Sequence, residues 1–216
     1  MITIADRTLS RLVAQTRPHV GNLIDAEAVQ CITFDHDGRH LYAMATNRFT
    51  IAVSRTQVTG GGDEPWSAIV HRTQLPEVAA AVKLLDTDTV QLERTEDRLI
   101  LSGKRGHRVA VDLSTYAKEP LDWRKLLLPA LEKPAADAQM AMDPRFFGAW
   151  KNLPKPVQMW STGEGRMSLI VAADFLGGQM PLRREGADLE LRRELDAWAA
   201  AKREEEEPET AQPAAA

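Results

Sequence analysis

The sequence predicts an α+β fold assembled from a repeated unit, in which one helix is followed by about three antiparallel strands. Segments with apolar residues at helical spacing alternate with groups of short segments rich in β-branched and aromatic residues, and this order occurs three times. The dipeptide Asp37-Gly38, between two predicted strands, is a strong hairpin signal because glycine adopts positive φ without steric cost. One such unit cannot bury its sheet alone, so the units must pair.

The first two units form a complete domain that we expect over residues 1–113. In the first unit, the helix ADRTLSRLVAQTR places Leu9, Leu12 and Val13 on one face, and Asp6 is a suitable N-cap. The strands AVQCITFD, HLYAMAT and RFTIAVSRTQV follow. Residues 59–65, TGGGDEP, are expected to be a flexible linker. The second unit has the strand WSAIVH, the helix RTQLPEVAAAVKLLD and the strands TVQLERT, RLILSGK and HRVAVDL.

The third unit is shorter and predicts a half-domain over residues 138–184. A proline-flanked interdomain linker, residues 114–137, precedes it. We expect the strand AQMAM, the short helix DPRFFGAWKNL, and the strands VQMWST, GRMSLIVA and DFLGGQMPLRR. Residues 185–216 have only a weak apolar stripe and are predicted to form a charged helix that continues into a disordered acidic tail.

Composition excludes several classes of protein. With 216 residues, 44% of them hydrophobic, the chain can bury a substantial core. The first residues carry charge where a signal peptide needs an apolar run, and no apolar run reaches membrane-spanning length, so we expect a cytoplasmic protein with no membrane partner. The single cysteine, Cys31, excludes an internal disulfide and a cysteine-cluster metal site. The net charge of −4 argues against general adhesion to nucleic acid, although five glutamates cluster within residues 204–209.

Three further segments carry a resemblance to a known family. The stretches LSGKRGHRVAVDL, EPLDWRKLLLP and GGQMPLRR, in this order over residues 1–184, together resemble the bacterial β-type DNA sliding clamp, the processivity factor of the replicative polymerase. In that family an elbow between two strands reads Ala-Thr-Asp-Gly, a linker reads Phe-Pro-aromatic-Arg and ends in Leu-Pro, and the chain closes on Met-Pro-x-Arg. Here the elbow reads Ala-Thr-Asn47-Arg48, and the linker has one extra leucine.

The resemblance implies a DNA-clamp-like fold in a shortened form. The family's chains contain three domains of two units each, whereas this sequence contains three units: one full domain, a half-domain and a C-terminal helix. A half-domain leaves a sheet and a helix without their usual mate. We therefore expect a homo-oligomer, most simply a two-fold dimer in which two half-domains complete one another.

The resemblance also implies a peptide-binding groove formed by the elbow, the linker and the terminal motif. An apolar floor with a few convergent polar groups suits a short peptide with a leucine or phenylalanine anchor. The alternative is that Ile51, Leu126 and Met180 are ordinary core residues. The implied groove residues are Thr46, Arg48, Ile51, Pro120, Arg124, Leu126, Met180, Pro181, Leu182 and Arg183.

Binding of duplex DNA is the second implied property. Clamps encircle DNA and contact its phosphates through lysine and arginine without reading bases, so any binding should be weak and independent of sequence. The alternative is an ordinary solvated helix face. The candidate DNA-binding residues on the three predicted helices are Arg7, Arg11, Arg17, Arg72, Lys83, Arg145 and Lys151.

Other chemistries have little support in the sequence. Asp35, His36, Asp37 and His40 could be read as a metal site, but neighbouring side chains of a hairpin point to opposite faces, so a solvated turn is favoured. TGGGDE lacks the lysine and the strand-to-helix context of a phosphate loop, and no nucleophile elbow is present. We expect neither a cofactor nor an enzyme.

Two functions remain open at this point. The first is a sliding-clamp-like replication or repair factor that binds DNA and recruits DNA polymerase or other proteins with a clamp-binding motif. The second is a peptide-binding adaptor or decoy that does not form a ring and competes for the same proteins.

Overall fold

The computed structural model describes residues 1–22, 26–62, 64–85, 89–103, 106–115, 119–133, 143–163, 165–181 and 193. Its helices are α1 (Asp6–Thr16), α2 (Leu75–Leu85) and α3 (Trp123–Leu131), with 3₁₀ helices at Arg17–His19, Glu27–Gln30 and Pro144–Trp150. Its strands are β1 (Ile2–Ala5), β2 (Cys31–His36), β3 (His40–Thr46), β4 (Thr50–Gln57), β5 (Gly60–Gly61), β6 (Trp66–His71), β7 (Thr89–Arg94), β8 (Arg98–Ser102), β9 (Arg108–Asp112), β10 (Gln158–Trp160), β11 (Ser168–Ala172) and β12 (Phe175–Gln179).

These strands form two antiparallel sheets. One has seven strands in the order β10-β11-β12-β4-β3-β2-β6, and the other has five in the order β5-β1-β7-β8-β9. The predicted α+β fold, with helices each followed by antiparallel strands, is confirmed.

The first two units exchange their first strands. β1, which directly precedes α1, pairs with β7 of the second unit, with Ile2 opposite Leu92. β6, which precedes α2, pairs with β2 of the first unit, with Cys31 opposite His71. Neither unit can therefore complete its sheet without the other, and both contribute to one large core that also includes the buried faces of α1 and α2.

Two short strands were not predicted from the sequence. Ile2 and Ile4 of β1 are buried, but the segment is too short and too close to α1 to give an alternation signal. Gly60–Gly61, within the segment predicted to be a flexible linker, pairs with β1 as β5. A Cβ atom at Gly61, where φ is 126°, would lie 2.2 Å from the Met1 carbonyl oxygen, so this close pairing requires glycine.

The shorter third unit is joined to the first by a strand pair. β12 lies antiparallel to β4 over five residue pairs, from Phe175 opposite Ser54 to Gln179 opposite Thr50. The 3₁₀ helix Pro144–Trp150 covers this junction, and Trp150 packs with Ala52 and Phe175 in a small core cluster. The strand predicted at 138–142 and the helix and tail predicted at 185–216 lie outside the described residues, apart from Arg193, which is helical.

Helix α3 lies within the segment predicted to be an interdomain linker. Asp122 caps it by accepting hydrogen bonds from the backbone N–H groups of Arg124 and Lys125. Its buried residues, Trp123 and Leu127, pack against the seven-stranded sheet. The helix was not predicted because Pro129, which stands inside it, normally marks a break.

The seven-stranded sheet is thus covered on both faces. On β3, Leu41 and Ala43 point into the large core beneath α1, and Tyr42 and Met44 point to Trp123 and Leu127 of α3. We call these two sides of the sheet the α1 face and the α3 face. On the α1 face, α1 packs against α2, and the 3₁₀ helices Arg17–His19 and Pro144–Trp150 pack against each other, which makes one helical layer. None of the described helices is long and apolar enough to cross a membrane.

A buried histidine connects the helical layer to the sheet. His19 Nδ1 lies 2.9 Å from the hydroxyl oxygen of Thr50 in β4, and its ring centroid lies 4.2 Å from that of Trp150. Burial lowers the pKa of His19 from 6.5 to about 4, an effect only partly offset by a hydrogen bond to the Ala149 backbone. His19 is therefore neutral in the folded protein at neutral pH.

This burial predicts that the protein loses stability as pH falls. Between pH 6.5 and about 4 the unfolded chain binds a proton at His19 and the folded chain does not. The free energy of unfolding should thus decrease by about 3 kcal/mol over this range because of His19 alone. Urea denaturation followed by tryptophan fluorescence at several pH values measures the decrease.

The variant His19→Asn should remove this part of the pH dependence. The matched control is His107→Asn, since His107 is exposed and should leave the dependence as in the unmodified protein. If His19→Asn shows the same slope of stability against pH as His107→Asn, the assignment of the buried neutral state to His19 is wrong.

Candidate functional site

The turn between β3 and β4 is held by its own polar side chains. The side-chain oxygen of Asn47 accepts hydrogen bonds from the backbone N–H of Phe49 at 3.0 Å, from that of Thr50 at 2.8 Å and from the Thr50 hydroxyl at 3.0 Å. An asparagine oxygen can accept these bonds as the family's aspartate would. Arg48 adopts a φ of 75°, a left-handed conformation that costs a non-glycine residue about 1–2 kcal/mol.

A cleft of about 430 Å³ opens between this turn, α3 and the residue that follows β12. Met180 closes one side, and its backbone N–H donates a hydrogen bond of 2.8 Å to the Phe49 carbonyl. The residues that line the cleft are Thr46, Arg48, Phe49, Thr50, Ile51, Leu126, Pro129, Ala130, Lys133, Thr162, Arg166, Met167, Gly178 and Met180.

The floor of the cleft is apolar, and its walls are partly exposed. Ile51 is 5% exposed and belongs to the core cluster beneath α3, whereas Leu126 is 48% and Met180 37% exposed. A Cβ atom at Gly178 would lie 2.3 Å from the Met167 sulfur, so glycine there lets Met167 enter the floor. An ordinary core position was the alternative for Ile51, Leu126 and Met180, and only Ile51 is buried.

The polar rim of the cleft is positively charged. Arg48, Lys133 and Arg166 line it, all three are exposed, and none of the lining residues carries a carboxylate. They come from three separate segments: the β3–β4 turn, the end of α3 and the turn before β11. The cleft can therefore accept an apolar side chain with negative charge beside it.

Five of the ten predicted groove residues line this cleft, namely Thr46, Arg48, Ile51, Leu126 and Met180. Pro181 follows Met180 and is half-buried but is not a lining residue, and Leu182 and Arg183 lie outside the described residues.

The cleft does not include Pro120 or Arg124. Pro120 lines a different depression, beside Trp66 and Ile69. Arg124 lies on the opposite flank of α3, where its guanidinium is 2.6 Å from the Asp35 carboxylate and is stacked 4.9 Å above the Tyr42 ring. The helical conformation explains the difference: a helix divides successive residues between two flanks, whereas this segment was predicted to be an interdomain linker.

Several lining residues were not predicted. Pro129 and Ala130 share one face of α3 with the predicted Leu126, and Lys133 follows the end of the helix, so the sequence contained the signal for the two helical residues once the segment was recognised as helical. Phe49 belongs to the segment RFTIAVSRTQV, which was predicted to be a strand, so its position in the turn was not expected. The centroid of its ring lies 5.5 Å from that of Phe146, and the residue is 53% exposed. Arg166 lies in a turn and has no periodic signal.

The predicted DNA-binding residues divide into two groups. Arg11 is half-buried and donates a hydrogen bond of 2.8 Å to the Arg55 carbonyl, and Arg145 forms an ion pair with Asp143. The remaining candidates are exposed on or beside the helical layer: Arg7, Arg17, Arg72, Lys83 and Lys151. Arg11 thus has a structural role in joining α1 to β4, and Arg7 and Arg17 remain as the exposed arginines at the ends of α1.

The carboxylate of Asp37 closes the turn of the β2–β3 hairpin by accepting hydrogen bonds from the backbone N–H groups of Arg39 and His40. Burial would raise the pKa of Asp37, but hydrogen bonds from the His40 and Arg39 backbones and from the Tyr42 hydroxyl together lower it. In the part of the chain that the structure describes, no group of three or more histidine, cysteine, aspartate or glutamate residues is arranged to hold a metal ion.

Comparison with solved structures identifies the fold as that of bacterial DNA polymerase sliding clamps. The clamp from Bacillus subtilis matches with a TM-score of 0.65 and 15% identity, over 85% of this chain and 64% of its own. The Pseudomonas aeruginosa clamp bound to griselimycin matches with a TM-score of 0.67 and 13% identity, over 84% and 65%. The DNA polymerase III β subunit from Thermotoga maritima matches with a TM-score of 0.62 and 10% identity, over 85% and 65%.

The predicted resemblance to this fold in a shortened form is confirmed: the chain spans slightly less than two thirds of the length of these clamps. No protein-family model and no curated protein sequence matches the chain. At identities of 10–15%, the likeness establishes the fold.

Proposed function

We propose that this protein is a sliding-clamp-like DNA replication factor whose cleft binds short peptide segments of DNA polymerase or of other clamp-binding proteins. One observation carries the proposal: residues from the β3–β4 turn, from α3 and from Met180, far apart in sequence, line a single cleft. These are the segments from which the resemblance to clamps implies a peptide-binding groove. The chemistry proposed is binding, not catalysis.

The shape and chemistry of the cleft favour an extended peptide over a small polar ligand. Ile51 and Met167 form an apolar floor, and Leu126 and Met180 offer partly exposed apolar walls. Side chains that fill such depressions supply most of the binding energy of a peptide, and surrounding contacts add little. We therefore expect leucine or phenylalanine anchors to dominate recognition, in a peptide that also contains a preceding glutamine.

We further propose that the chain self-associates through the half-domain. Among the strands of the described residues, β10 is the last one of the seven-stranded sheet, and Met159 and Trp160 on it are 45% and 42% exposed. Val157, which directly precedes β10, is 43% exposed. An apolar edge strand of this kind readily pairs with another chain, which agrees with the expectation that half-domains complete one another.

Duplex DNA is the second proposed partner. The five exposed cations on or beside the helical layer can contact phosphates, and such contacts carry no sequence information. With a net charge of −4 on the whole chain, the attraction is local and should be weak.

Peptide binding is tested by two substitutions in the walls of the cleft. Leu126→Ala or Met180→Ala should weaken binding by about 1–3 kcal/mol, because each removes an apolar surface that an anchor residue would cover. The measurement is fluorescence anisotropy of a labelled peptide with a glutamine followed by leucine and phenylalanine anchors.

The control variant is Leu128→Ala. Leu128 belongs to the same helix and is 43% exposed, but it lines a depression on the other flank of α3, so the affinity should not change. The absence of saturable binding by the folded protein at high micromolar concentration would contradict the proposal. Equal losses for Leu126→Ala and Leu128→Ala would show that binding occurs elsewhere.

DNA binding is tested by a pair of double variants with the same change in charge. Arg7→Gln/Arg17→Gln should weaken binding to duplex DNA and reduce the dependence of log K on log salt by about 1.8, because two phosphate contacts are lost. The control is Arg39→Gln/Arg98→Gln, which changes two exposed arginines outside the helical layer, one in the β2–β3 turn and one in β8. Self-association is tested separately, by analytical ultracentrifugation of the same samples. The measured mass should exceed that of one chain.

Two results would count against these proposals. If both double variants bind DNA as the unmodified protein does, the helical layer is not a DNA surface, and an adaptor without DNA binding becomes the better account. If the mass corresponds to a single chain at micromolar concentration, self-association through β10 is excluded.

A further inference from the structure

Three cations, Arg48, Lys133 and Arg166, line the rim of the cleft beside α3. In the described part of the chain, Arg48, Lys133 and Arg166 form no ion pair with a carboxylate, although the ion pairs that are present include surface residues such as Arg55 and Arg98. The whole chain has a net charge of −4, whereas the charged residues that line this cleft are all positive. This arrangement calls for an acidic occupant.

The same chain carries a segment with the complementary chemistry. Residues 204–207 are four consecutive glutamates, followed by Pro208 and Glu209, and Leu195 and Trp198 precede them. No other segment of the sequence has four adjacent carboxylates. An apolar anchor with an acidic flank matches a cleft with an apolar floor and a basic rim.

The connection is long enough for this segment to return to the cleft. Met180 lines the cleft itself, and Glu204 is 24 residues further along the chain. A chain of this length spans up to about 80 Å when extended, so its length allows the segment to return to the cleft. Attachment to the same chain makes the binding intramolecular, with an effective concentration on the order of 1 mM.

We propose that the acidic segment, residues 195–209, binds in the cleft of its own chain. In the proposed arrangement, Trp198 covers the apolar floor formed by Ile51 and Met167, and the glutamates at 204–207 face Arg48, Lys133 and Arg166. Exposed ion pairs are individually weak, so the tether and the apolar anchor are both needed for occupancy. The segment thereby competes with any external peptide for the cleft.

Binding of the acidic segment in the cleft needs no external partner. It requires only the cleft and the acidic segment, both of which belong to this chain. It can therefore occur even if no polymerase peptide binds.

The experiment uses the full chain with ¹³C-labelled methionine methyl groups. Met167 and Met180 line the cleft, while Met1 and Met159 lie outside it and serve as internal references. Changing all four glutamates to glutamine (E204Q, E205Q, E206Q and E207Q) should shift the Met167 and Met180 signals and leave those of Met1 and Met159 in place. The triple variant Arg48→Gln/Lys133→Gln/Arg166→Gln should release the segment as well.

A synthetic peptide of residues 195–209, added to the four-glutamine variant, should return the Met167 and Met180 signals towards their positions in the unmodified chain. Spectra must be independent of protein concentration, because a dependence would mean that the segment of a second copy occupies the cleft. Identical Met167 and Met180 signals in the unmodified chain and in the four-glutamine variant would overturn the proposal.

A second measurement separates this inference from the proposed function. A labelled peptide with leucine and phenylalanine anchors should bind about tenfold more tightly to the four-glutamine variant than to the unmodified chain, because the tethered competitor is removed. If the methyl signals shift as expected but the labelled peptide binds neither form, the acidic segment occupies the cleft and the proposed partner is wrong. If the labelled peptide binds both forms equally well, the acidic segment is not a competitor.

Discussion

The pairing of β12 with β4 is the interaction on which the rest of the structure depends. It joins the third unit to the first, extends the sheet to seven strands and delivers Met180 to the β3–β4 turn, where the cleft forms. Gly177 and Gly178 lie opposite Ala52 and Ile51 in this ladder, and a Cβ atom at Gly177 would lie 2.8 Å from the Trp150 ring. The ladder therefore depends on small residues at the positions where Trp150 and Met167 pack.

β4 also connects the two faces of the sheet. On the α1 face, Thr50 lies beside His19 and the Ser54 hydroxyl donates a hydrogen bond to Gln15. On the α3 face, Ile51 and Val53 support α3, and Ile51 is the floor of the cleft. Because successive residues of a strand point to opposite faces, one strand positions both the helical layer and the cleft. The proposed DNA and peptide surfaces are thus on opposite sides of the same sheet.

Local patterns predicted most of the elements, and long-range contacts account for what they missed. The buried residues of α1, such as Leu9 and Leu12, have the expected helical spacing. The exchange of β1 and β6 between units has no local signal, since it pairs segments far apart in the chain. At the cleft, the turn and Met180 were recognisable as motifs. Arg124 was grouped with them because its segment was predicted to be a linker, and as a residue of α3 it lies on the other flank of the helix.

Native-state hydrogen exchange tests the β4–β12 pairing most directly. The account predicts that amides of residues 175–179 that donate within this ladder exchange as slowly as those between β3 and β4, because both ladders belong to one cooperative sheet. The seven-stranded sheet and the cleft would then open only when the fold itself opens. Fast exchange at residues 175–179, at rates typical of exposed loops, with β3 still protected, would contradict the central claim that this strand pair builds the cleft.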